Sequence, residues 1–183
     1  MNQHFNLKSA VALCAMAMLP LAHAANMSRD DYKAGIDRIE ATAKADKDAC
    51  KAMNGNAKDV CMKEADGKEK IAKAELEYNR TGKADDQNKI AVVKADAMYA
   101  VAKEKCDDLA GNPKDVCQKE AKAAHTKGVA DAKMARQIGD ARQDANKDKM
   151  DANYQAAAEK CDAMSGDAKD RCIAAAKAKH GKS

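Results

Sequence analysis

The chain has 183 residues, of which 33 are Lys or Arg and 29 are Asp or Glu; aromatic residues make up only 3% and tryptophan is absent. So few large side chains exclude a thick globular core, which has to offset chain entropy with buried apolar area. Charges of both signs are interspersed without aromatic neighbours, a pattern that excludes a nucleic-acid face.

Residues 1–24 read as a cleavable secretory signal. Lys8 closes a short polar start, an apolar run covers 10–19, Pro20 ends it, and Ala22-His23-Ala24 supplies the small residues that a signal peptidase pocket requires. The run is shorter than the roughly 20 residues that span a bilayer. Cleavage between Ala24 and Ala25 is predicted, leaving 25–183 as a periplasmic chain without stable membrane insertion. Cys14 sits inside the apolar run behind Leu13, where lipid attachment would need a small residue, and it leaves with the signal.

The exported part keeps Tyr32, Tyr78, Tyr99 and Tyr154, has Leu76 and Leu109 as its leucines, and relies on alanine for most other apolar positions. This composition predicts an all-α fold of elongated up-and-down helices that touch along thin alanine seams. Lys and Asp or Glu recur three to four apart through 44–51, 63–73 and 94–105. Such pairs support a helix by roughly 0.2–0.5 kcal/mol each.

One unit occurs three times: CKAMNGNAKDVC from Cys50, CDDLAGNPKDVC from Cys106 and CDAMSGDAKDRC from Cys161, with starts 56 and then 55 residues apart. Gly55, Gly111 and Gly166 stand where a helix ends in the left-handed conformation. Asn56, Asn112 and Asp167 follow as N-cap residues, and Pro113 takes a first helical position. These signals predict a tight helix–turn–helix over 50–61, 106–117 and 161–172. Antiparallel closure then brings the two cysteines of each unit together, predicting the disulfides Cys50–Cys61, Cys106–Cys117 and Cys161–Cys172. Each closes a short loop and contributes about 3 kcal/mol. Met53, Leu109 and Met164, three residues after the first cysteine, are expected on its packed face.

Between the units, Ile90, Val93, Ala97, Val101, Cys106 and Leu109 step along one helical face, and Asn79-Arg80-Thr81-Gly82 marks a break. The later segment with Gly128 and Gly139 runs as one long helix or bends once. Four or five helices are expected, each reversal stapled near its turn.

No chemistry-bearing constellation stands out. Structural zinc uses close ligand pairs, whereas these cysteines are spaced C-x₁₀-C, with only His125 and His180 beside them after cleavage. Soft-metal binding by Cys50 with Met53, or Cys161 with Met164, is interrupted by Leu109 in the middle copy. Cys61, Cys117 and Cys172 occupy first helical turns, a position that favours a thiolate, yet three equivalent pairs at turns read as staples. Ser28, Ser165 and Ser183 have no hydrolytic frame. No cofactor is expected.

The runs GNAKDVC from Gly55, AKAELEY from Ala72, YAVAKEKCDDLAG from Tyr99 and GNPKDVCQKEAKAAH from Gly111 carry a resemblance. They look like a family of small alanine- and lysine-rich periplasmic proteins of proteobacteria, some labelled cell envelope biogenesis proteins because their composition is similar to the helical stalk of TolA. The membrane anchor and globular end of TolA-like proteins have no counterpart in this chain. The layout is also similar to the PsiF repeat, with different cysteine spacing. The resemblance implies a periplasmic, non-enzymatic protein whose partners are other envelope proteins, and it transfers no functional residue. Three functions are weighed: a structural or interaction protein, a hydrophilic stress-protective or chaperone-like protein, and a thiol redox or soft-metal protein.

Overall fold

A computed structural model describes residues 27–182. The segment expected to act as a signal, with Ala24 and Ala25 at the expected cleavage site, lies outside the described residues. Those described form α1 (Arg29–Cys50), α2 (Gly55–Thr81), α3 (Ala84–Lys105), a 3₁₀ turn (Cys106–Asp108), α4 (Gly111–Cys161) and α5 (Asp167–Lys179), with no strand among them. Ser28 starts α1, its hydroxyl oxygen accepting the Asp31 N–H at 3.0 Å, with Asp30 and Asp31 at the positive end of the helix.

Each helix packs on its chain neighbours: α1 on α2, α2 on α3, α3 on α4, and α4 on α5. Among the described residues the buried apolar side chains are alanines and cysteines alone, Ala43, Ala65, Ala74, Ala97, Ala121, Ala132 and Ala176 among them. Glycine makes the seams close. A Cβ on Gly35 would lie 2.8 Å from Leu76 Cδ2, and one on Gly128 would lie 3.0 Å from the Ala95 Cβ.

The turns differ from the expected cap in one respect: their glycines begin the second helix and do not end the first. The first helix stops near the first cysteine, whose carbonyl accepts the N–H of Met53, Leu109 or Met164 at 3.0, 3.1 and 3.0 Å. In the first two turns an extended residue follows, Asn54 or Ala110. Gly55, Gly111 and Gly166 then adopt positive φ of 57°, 59° and 54° and turn the chain into the next helix. Asn56 and Asn112 therefore lie inside their helices, and neither α2 nor α4 has a side-chain cap bond. A capping residue needs extended backbone outside the helix, which these positions no longer have. Asp167 is likewise the first residue of α5 behind Gly166. Pro113 is the third residue of α4, still within the first turn where backbone N–H groups lack helical partners.

The expectation that every reversal carries a staple fails at Gly82. There α2 ends in the left-handed conformation (φ 62°, ψ 8°), the Gly82 N–H donating to the Tyr78 carbonyl at 2.7 Å. The Thr81 hydroxyl donates to Asp86, and α3 turns back along α2 without a cysteine. The next inter-staple segment is one residue shorter and does not reverse. Counted from Cys117 as Gly82 is counted from Cys61, the equivalent residue is Ile138, to which the left-handed conformation is costly. Counted back from Cys161, the equivalents of half-buried Ile90, Val92 and Val93 are Ala145, Lys147 and Asp148. Neither the turn nor the apolar stripe for a hairpin is present, so α4 continues unbroken over 51 residues.

Candidate functional site

The stapled turns and the long α4 are the features that repetition and fold set apart. All three disulfides form as expected, with Cα atoms 5.6, 5.7 and 5.7 Å apart for Cys50–Cys61, Cys106–Cys117 and Cys161–Cys172. Cys50, Cys106 and Cys161 are fully buried, while their partners are half-buried. Met53, Leu109 and Met164 are not on the packed face. Because the helix stops at the first cysteine, they project from the turn, 44%, 42% and 47% exposed. The first two turns share one end of the helix layer, where the Asn56 amide donates to the Glu104 carbonyl at 3.0 Å and Lys105 pairs with Glu64 at 3.3 Å. The third lies at the far end of α4, about 77 Å away along a helix rising 1.5 Å per residue.

Ion pairs lock the seam between α1 and α2. Lys47 bridges Asp66 and Glu69 at 2.7 and 2.9 Å, and Lys73 bridges Glu40 and Glu69 at 2.9 and 2.8 Å. Hydrogen bonds from Lys73 and Lys47 hold the Glu69 carboxyl below its usual range, and the bonds that Lys47 donates to Asp66 and Glu69 raise its own ammonium. Arg80 bonds Glu77, lowering its carboxyl, and places its guanidinium 4.9 Å from the centre of the Tyr32 ring. Lys44 and Lys51 together pull the Asp48 carboxyl down to about 2.

The seam between α3 and α4 holds the histidine that sequence reasoning set aside. His125 Nε2 lies 2.6 Å from Asp96 Oδ1, and its ring packs 4.9 Å from that of Tyr99. This pair ties two helices. Among the described residues no group of three or more His, Cys, Asp or Glu side chains could hold a metal. Two open grooves run along the same seam, one of about 670 Å³ over Tyr78, Ala84, Ile90 and Ala132, the other of about 400 Å³ beside Met98 and His125. Their linings mix alanine with polar and charged side chains, Arg136 and Asp140 in the first and Lys94 and His125 in the second. Among the described residues no helix is long and apolar enough to cross a membrane.

The sequence reading missed the close contacts at Gly35, Gly67 and Gly128. The available signal was glycine inside an otherwise helix-favouring stretch, which permits a close approach of a neighbouring helix without marking one. No protein-family model, curated protein or solved structure matches the chain. The fold itself defines a series of helical hairpins with disulfide-clamped turns.

Proposed function

We propose that this is a non-enzymatic structural and interaction protein of the bacterial periplasm and cell envelope, a spacer that presents protein-binding tips at its two ends. The observation that carries this reading is α4, whose 51 residues separate one stapled turn from the other two. The tips offer exposed Met53 and Leu109 at one end and Met164 at the other. Three disulfides suit an oxidising compartment, which supports export. The test is photo-cross-linking in periplasm-containing cells from residues placed at 53, 109 and 164, followed by identification of what is captured. Defined envelope proteins recovered from the tips are expected; a chain that captures nothing defeats the reading.

A stress-protective role is the second reading, supported by the surface. Exposed pairs such as Lys44–Asp48, Lys68–Asp46 and Lys127–Asp131 cover the helices with both signs of charge. Protection of unrelated proteins during drying, with nothing captured at the tips, distinguishes it.

A further inference from the structure

We propose that α4 is hinged at Gly139, so that the stapled hairpin formed by the end of α4 and α5 swings relative to the layer formed by α1, α2, α3 and the first half of α4. The inference stands apart from the functional reading above and rests on four observations.

Packing stops on both sides of this point. The first half of α4 is tied to α3 as far as Arg136, which bonds Asp85 at 2.8 Å. The second half meets the α5 end at Met150, beside Gly181, and at Asp151, bonded to Lys182. Residues 137–149 between these contacts are all exposed. That stretch is about three and a half turns of helix held by its own backbone bonds, a length at which isolated helices are marginal.

Gly139 differs from the other glycines inside these helices. Gly35, Gly67 and Gly128 each closely face a neighbouring helix, an added Cβ lying 2.8, 3.0 and 3.0 Å from the nearest side-chain atom, whereas a Cβ on Gly139 would meet nothing within 4 Å. No packing constraint in the chain calls for glycine there. Its effect is to give the backbone more freedom than any other residue would.

Side-chain bracing is thin as well. Arg136 reaches Asp140 at 3.6 Å across the glycine. Beyond it, no ion pair involving Arg142, Asp144, Lys147, Asp148 or Lys149 forms among the described residues.

The repeat places this glycine beside a break. Its neighbour Ile138 is the counterpart of Gly82, where the preceding inter-staple segment ends one helix and begins another. The second segment does not reverse and carries a helix-weakening residue next to that position.

The experiment pairs spin labels at exposed positions 126 and 155, introduced as Thr126→Cys and Gln155→Cys, with amide hydrogen exchange on the full exported chain. A straight helix would separate the two positions by about 44 Å at 1.5 Å per residue. A hinge gives a broad distance distribution and faster exchange over 137–146 than over 121–132. Gly139→Ala should narrow the distribution and slow exchange roughly fivefold, the effect of replacing glycine by alanine in an exposed helix. A single narrow distance in the unmodified sequence, or a Gly139→Ala variant that leaves both readouts unchanged, overturns the hinge. So does protection of 137–146 that rises with protein concentration, which would instead make the bridge an interface between copies.

Discussion

Gly67 of α2 and Ala97 of α3 stand so close that a Cβ on the glycine would lie 3.0 Å from the alanine Cβ. A leucine side chain could rotate away, but an alanine Cβ is fixed to its backbone, so the two helices would have to part. Gly67→Leu should therefore lower stability by about 1–3 kcal/mol, the usual cost of overpacking. Gly139→Ala, in open space, should raise the stability of its helix by about 1 kcal/mol. Thermal melts of the two variants check the opposite signs.

The three staples should differ in what depends on them. Helix α5 has 13 residues and a single buried side chain, Ala176. That is too short for an isolated helix to persist in water, so loss of a clamp worth about 3 kcal/mol should release it. Replacing Cys161 and Cys172 by alanine should abolish amide protection over 167–179. The same replacement at Cys50 and Cys61 should lower the melting temperature while leaving α1 helical, because Lys47, Lys73 and Leu76 still hold it. Hydrogen exchange resolved by segment distinguishes these outcomes.

Gly82 offers a third measurement. Its φ of 62° costs a residue with a Cβ about 1–2 kcal/mol. Gly82→Ile, which installs the residue found at the equivalent place in the next segment, should destabilise the α2–α3 hairpin by about that amount in urea unfolding. An unchanged midpoint would mean that the reversal does not depend on the glycine.

Acid should weaken the α1–α2 hairpin, across the seam through Glu69 and within each helix through Asp48 and Glu77. Asp48 at about 2, with Glu69 and Glu77 lowered, all have folded carboxyls below their unfolded values. Their contribution is complete above the unfolded values, which lie near about 4, and is lost as pH falls through the folded ones. Between about pH 4 and pH 2 the melting temperature should drop. Glu69→Gln, which removes a titrating partner of Lys47 and Lys73, should lower the melting temperature at pH 7 and flatten that acid slope.

Much of this architecture is visible in the amino acids. The repeated cysteines with a glycine between them determine the hairpin closure, because only one local pairing suits an antiparallel turn. The cluster around Thr81 and Gly82 marks the break between α2 and α3. Cap position was misjudged because a positive-φ glycine can close one helix or open the next, and local sequence around Asn56 and Asn112 does not distinguish them. Exposure of Met53, Leu109 and Met164 follows from that same shift. Which lysine faces which glutamate was also hidden: Lys47 is 22 residues from Glu69. Only the seam brings them together, and uniform alanine spacing leaves its alignment open. The continuity of α4 becomes legible only when Ile138 and Lys147 are compared with Gly82 and Val92.

The alanine seams leave a calorimetric signature. Heat capacity rises on unfolding in proportion to the apolar surface released, and denaturant sensitivity follows the total surface. A chain that hides methyl groups and not larger side chains releases little of the first. Its stability curve should be broad and shallow, with a low-amplitude thermal transition that spreads over many degrees. Such a protein changes its folded fraction gradually as temperature swings, with no sharp threshold.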